Sequence, residues 1–175
     1  MACEIEVGVN VNPCCPCIEA GQVRAIVFIR SLTSVTDFTV LADWQAAETA
    51  GNIRKFSATI GSKPVSSPTE GPGFGWASYE TTGREHTLSA RVKFSAANRD
   101  FFNAINQDGS WYLCYVTETT LFVTQAPVTV NADVDVPEDK NGQVTHTIAC
   151  KWKTIELDKT YPTTNTLAFF QACDA

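Results

Sequence analysis

Between Val128 and Trp152 the chain alternates apolar and polar residues twice, on either side of a polar turn. Val128, Val130, Ala132, Val134 and Val136 share one parity, and Thr129, Asn131, Asp133 and Asp135 share the other. Beyond Pro137–Gly142, the residues Val144, His146, Ile148, Cys150 and Trp152 alternate with Thr145, Thr147, Lys151 and Lys153. A period of two is the signature of a strand with one buried face. Pairing Val134 with His146 and Val130 with Cys150 brings both apolar faces together, which predicts an antiparallel hairpin in that register.

Earlier segments follow the same logic. Glu85 to Phe94 alternates strictly, with His86, Leu88, Ala90, Val92 and Phe94 on one side. Ser95 then predicts a helix cap, because its hydroxyl can accept from the first free amides. Ala97, Phe101, Phe102 and Ile105 continue at helical spacing. Val23 to Ile29 is largely apolar on both parities and predicts a strand covered on both sides. Asp43 to Ala50 predicts a short helix with Asp43 as its cap, and Gly51 stops it. Further strands are predicted over 53–62, 110–118, 120–124 and 166–173. Lys63 to Tyr79, with Pro64, Pro68 and Pro72 and several glycines, predicts a loop. Residues 1–21, broken by Pro13, Pro16 and Gly21, predict an irregular Cys-rich arm, and 22–175 a single domain. The fold class is therefore mainly β: a β-sandwich or flattened barrel with one flanking α-helix.

A chain of 175 residues with 44% hydrophobic and 18% charged residues can bury a core without staples. The net charge of −6 argues against a protein that grips nucleic acid, which takes a surplus of Lys and Arg. It is compatible with a surface past which nucleic acid slides. Glu4 and Glu6 stand where a signal peptide carries bases, and no run approaches the ~18 apolar residues of a membrane span. Folding in a reducing cytosol is expected, with the seven cysteines as free thiols.

Candidate chemistry is sparse. His86 and His146 fall on the apolar parity of their strands, where a histidine is ordinarily a core residue with a satisfied partner. Cys150 shares that parity with His146, but a nucleophilic pair needs an exposed thiolate. Cys14-Cys15-Pro16-Cys17 holds one C-x-x-C, and a structural zinc generally takes two. Glu70–Trp76 is rich in glycine but lacks the P-loop lysine. No catalytic residue, metal or cofactor is expected, and the chain reads as a non-enzyme. Phe74, Trp76 and Tyr79 are aromatic residues in the predicted loop, and they are candidates for a subunit interface. Asp133 and Asp135 are candidates for an acidic face turned to a channel or to solvent.

The order of elements over residues 84–153 carries a resemblance. An alternating strand is followed by a helix just after Phe94, another strand, and a long polar-tipped hairpin ending Ile148-Ala149-Cys150-Lys151-Trp152-Lys153. This order resembles the tail-tube proteins of tailed bacteriophages and the related tube proteins of contractile injection systems. The resemblance implies a homo-oligomeric ring, a hexamer among its forms, that stacks on further rings. It implies neighbouring virion proteins as partners, DNA that passes without specific binding, no membrane, and a place in the virion after synthesis in the host cytoplasm. Tail terminators, head–tail rings and baseplate hubs use similar folds. The alternative is a carbohydrate- or protein-binding β-sandwich, a capsid decoration or fibre domain, with Trp76, Tyr79 and Trp111 as contacts.

Overall fold

A computed structural model describes residues 23–61, 65–72, 79–106, 110–117, 119–138 and 143–171. Strands β1 (Ala25–Ile29), β2 (Ile53–Gly61), β3 (Val65–Pro72), β4 (Tyr79–Lys93), β5 (Tyr112–Val116), β6 (Thr120–Val123), β7 (Thr129–Asp135), β8 (Thr145–Thr154) and β9 (Lys159–Pro162) pair antiparallel throughout. Their order is β7-β8-β4-β2-β1-β5-β6-β9, with β3 also on β4. Helices α1 (Leu41–Thr49), α2 (Ala96–Ile105) and α3 (Leu167–Gln171), with a short 3-10 turn at Leu32–Ser34, accompany the strands.

The ladder folds into two sheets, and β2 belongs to both. Residues 53–57 of β2 pair with β1. From Ala58, opposite Val92, the strand pairs with β4, with a register shift between Ala58 and Ile60. A bulge of this kind bends a strand and increases its twist, which turns one sheet over the other. The first sheet holds β1, β5, β6 and β9; the second holds β3, β4, β7 and β8.

All five residues of β1 are buried, because each face meets its own core. Ile26 and Phe28 point between the sheets, where they join Leu88, Ile148, Cys150, Trp152 and the α2 residues Phe102 and Ile105. The Phe28 ring stands 6.1 Å from Phe56 and 5.8 Å from Phe101, separations typical of favourable aromatic pairs. Ala25, Val27 and Ile29 point the other way, under Trp44 of α1 and Phe169 and Phe170 of α3. The result is a β-sandwich with α2 at its inner core and a further helical layer outside the first sheet. Mainly-β architecture with a flanking helix is thus the observed class.

The hairpin register is as the alternation predicts, with Val130 opposite Cys150 and Val134 opposite His146. The Ser95 hydroxyl caps α2, accepting from the Asn98 amide at 3.1 Å. Three expectations are corrected. Residues 65–72 form β3 rather than a loop, because an edge strand with one partner tolerates proline and glycine where a central strand does not. The segment predicted as a strand over 166–173 contains helix α3 at Leu167–Gln171, with the Phe169 and Phe170 rings against Trp44. Helix α1 starts at Leu41 after Val40, so Asp43 lies in its first turn; its carboxylate accepts from the Asp37 amide at 2.8 Å. The predicted Cys-rich arm over 1–21 lies outside the described residues.

Candidate functional site

The second sheet presents a polar face away from the core. On β4 it carries Glu85, Thr87, Ser89, Arg91 and Lys93, and on β8 Thr145, Thr147, Lys151 and Lys153. On β7 it carries Thr129, Asn131, Asp133 and Asp135, all exposed. Strand parity explains the arrangement, since the intervening residues fill the core. Among the described residues no helix or strand packs over this face.

Asp133 and Asp135 lie together there, but the face as a whole is not acidic. Glu85, Asp133 and Asp135 are matched by Arg91, Lys93, Lys151 and Lys153. Arg91 reaches Asp135 at 3.5 Å, and Lys153 reaches Glu85 at 3.3 Å. The expectation of an acidic face is corrected to a mixed one. Alternation on β7 alone could not disclose the cations that β4 and β8 add beside it.

Strand β4 is 15 residues long and outruns its partner β8, whose last pair is Arg84 with Thr154. From Tyr79 to Gly83, β4 pairs with β3 alone, so the β3–β4 hairpin projects as a two-stranded arm of roughly 15 Å. Tyr79 pairs with Pro72 at the far end of this arm. Phe74 and Trp76 lie outside the described residues. A notch of about 330 Å³ separates the arm from the body, lined by Thr69, Arg84, Lys153 and Ile155 among others. Ile155 and Leu157 beside it are 83% and 71% exposed, an unusual display for two large aliphatics so close together.

At the opposite end of the same sheet, Phe94, Val134 and Val136 are also exposed. Phe94 stacks on buried His146 at 5.0 Å, with Phe102 on the other side at 5.1 Å. Burial holds the His146 pKa below its ordinary value, and a hydrogen bond with the Ser95 backbone opposes this only in part. Among the described residues the Nε2 atoms of His146 and His86 find no hydrogen-bond partner. His86 stacks instead on Trp152, 5.2 Å away and nearly parallel. Burial pushes the Cys150 thiol up to about 12, so Cys150 and His146 do not form a reactive pair. Among the described residues no group of three His, Cys, Asp or Glu converges on a metal position, and no helix is long and apolar enough to cross a membrane.

At β7 the Asn106 carboxamide accepts from the Ala132 amide at 3.1 Å and donates to its carbonyl at 3.3 Å. This two-point contact imitates a neighbouring strand and occupies the edge. The Asp133 carboxylate likewise accepts from the Val134 amide at 2.8 Å. Asn106 carries no sequence signal for this role, which depends on where the end of α2 falls in space. Trp111, a candidate stacking platform, is half-buried, with Phe101 at 5.5 Å and the Arg30 guanidinium 5.6 Å from its ring. Comparison with protein-family models, with curated proteins and with solved structures finds no match.

Proposed function

We propose that this chain is a structural subunit that assembles with copies of itself into rings, and that the rings form part of the tail or head–tail channel of a tailed bacteriophage. The carrying observation is the uncovered polar face of β4, β8 and β7, bounded by strand edges and extended by the projecting β3–β4 arm. A sheet that is apolar on one side and polar on the other suits a channel wall. Closing such sheets around an axis hides their edges, which otherwise invite uncontrolled pairing. Threonine and serine interleave the charges, and Arg91 and Lys153 are paired with Asp135 and Glu85, so a passing phosphate backbone meets few unneutralised cations on this face. The arm and the exposed Ile155–Leu157 corner supply contact surface toward a neighbour. The reading includes no catalytic role, no cofactor and no membrane, with neighbouring virion proteins as partners.

Negative-stain microscopy beside a mass measurement tests this. Rings or tubes, with a mass many times the 19.1 kDa of one chain, are the expected result. A particle that stays at the mass of one chain at high concentration, with virion partners supplied as nucleators, overturns it.

A further inference from the structure

At the end of β1 away from Val23, a cleft of about 410 Å³ opens between the first sheet and α2. Arg30 and Arg54 sit at its mouth, with the Arg30 guanidinium 5.6 Å from the Trp111 ring and that of Arg54 5.9 Å from the Phe56 ring. Phe101 and Trp111 form part of its lining. Glu48 also lines it, but Lys55 holds that carboxylate at 3.1 Å. Among the described residues no carboxylate lies within ion-pair distance of Arg30 or Arg54. Two planar guanidiniums resting on aromatic faces, with no carboxylate partner among the described residues, form a receptor for carboxylates.

The chain carries a matching segment. Residues 1–22 contain Glu4, Glu6 and Glu19 and no Lys or Arg, so half of the net charge of −6 lies there. From Cys3 to Asn12 the residues alternate, with Ile5, Val7, Val9 and Val11 on one parity and Glu4, Glu6, Asn10 and Asn12 on the other. That pattern sets Glu4 and Glu6 two residues apart on the polar parity.

We infer that the cleft at Arg30 and Arg54 receives the Glu4–Glu6 stretch of a neighbouring copy. The assembly reading supplies the neighbour as the source, and the direction of β1 is consistent with it. The segment joins the described structure at Val23, beside Val116, where Arg24 donates to the Val116 carbonyl at 2.8 Å. Arg30 lies at the other end of β1, roughly 23 Å along the strand. Strand β1 has β2 and β5 on its edges and a core on each face, so a return to the same subunit's cleft would have to cross the outside of the domain. A copy displaced along the β1 axis meets the segment directly, and 22 extended residues reach up to ~70 Å. Such a head-to-tail contact is heterologous and repeats without closing, as stacking requires. The inference deepens the assembly reading above and rests on it for the identity of the partner.

A labelled peptide of residues 1–22, with cysteines replaced by serine, tests the cleft without relying on particle formation. The receptor is the full chain carrying Glu4→Lys and Glu6→Lys, which disables its own segment. Saturable binding that weakens about tenfold or more on adding Arg30→Gln and Arg54→Gln is expected, with Lys151→Gln and Lys153→Gln as a neutral control. A peptide with Glu4→Lys and Glu6→Lys should in turn bind a receptor with Arg30→Glu and Arg54→Glu, a rescue that misfolding cannot imitate. Absent binding, or binding indifferent to both arginines, overturns the cleft. A photo-reactive residue at Ile5, in mixed isotope-labelled and unlabelled full-length chains, should crosslink one isotope to the cleft of the other. Crosslinks confined to single chains overturn the neighbour as source. Peptide binding in a protein that never forms particles would instead defeat the ring reading and leave the cleft standing.

Discussion

The Asp158 carboxylate accepts a hydrogen bond from the Tyr115 hydroxyl at 3.0 Å, and so joins the turn after β8 to the first sheet. Its other oxygen accepts from Trp152 Nε1 at 3.2 Å, on the second sheet. One side chain thereby closes the sandwich at the end where the arm departs. Burial pushes the Asp158 carboxyl up, and the bonds from Tyr115 and Trp152 offset this in part.

Asp158→Ala leaves two donors without an acceptor and should cost ~1–3 kcal/mol, whereas Asp158→Asn keeps an acceptor for Trp152 and should cost less. The sign with pH follows from the raised folded value. The stability that Asp158 contributes is full below the unfolded pKa of ~3.9 and is lost as pH rises through the folded value. Thermal midpoints of wild type and Asp158→Asn should therefore converge, or cross, as pH rises from mildly acidic to neutral. A gap that widens in favour of wild type would contradict the assignment.

His146 works in the opposite sense. Its folded pKa is depressed, so its contribution is present above the unfolded value of ~6.5 and is lost as pH falls through the folded one. His146→Leu should remove that acid sensitivity, and denaturant midpoints at pH 7 and pH 5 should differ less in the variant than in wild type.

Ile148 is fully buried opposite Ala132 and Ala90, so Ile148→Asp places a charge in the core. A loss above ~4 kcal/mol, seen as failure to fold, is expected. Asp133→Lys with Asp135→Lys should leave the circular dichroism unchanged, because both side chains are exposed. In an assembled particle the pair should slow passing DNA, measured as delayed ejection. Unfolding by the lysine pair, with tolerance of Ile148→Asp, would reverse the two faces.

Asn106→Ala should uncover the Ala132 amide and carbonyl at the β7 edge. The expected outcome is a small change in thermal midpoint and a marked rise in irregular aggregates by light scattering. Unchanged aggregation would mean that the neighbouring bond at Val134 suffices to protect this edge.

The parts of the fold legible in the sequence are those fixed by local periodicity. Two strict alternations about one turn leave the register of Val130 with Cys150 little freedom, because a one-residue slip exposes every apolar side chain. The Ser95 cap is likewise a short-range matter. Strand β3 was hidden because Pro68, Gly71 and Pro72 carry loop signals, and only its place at an edge makes them acceptable. Helix α3 has five residues, too few for a helical period to emerge, and Trp44 decides where its aromatic rings pack. The Arg30–Arg54 cleft joins the end of β1 to the start of β2 and the side of α2, a conjunction that tertiary structure alone creates.

The handover within β2 bears on how the subunit comes apart. One strand carries the ladder bonds of the first sheet through Ser57 and those of the second from Ala58 onward. Neither layer can melt without tearing the backbone partner of the other, so heat should produce a single cooperative transition. The slowest-exchanging amides should run unbroken from β1 across β2 into β4, rather than form two separately protected islands. A tube wall built from such units would answer bending strain by shifting contacts between subunits, while each subunit stays whole.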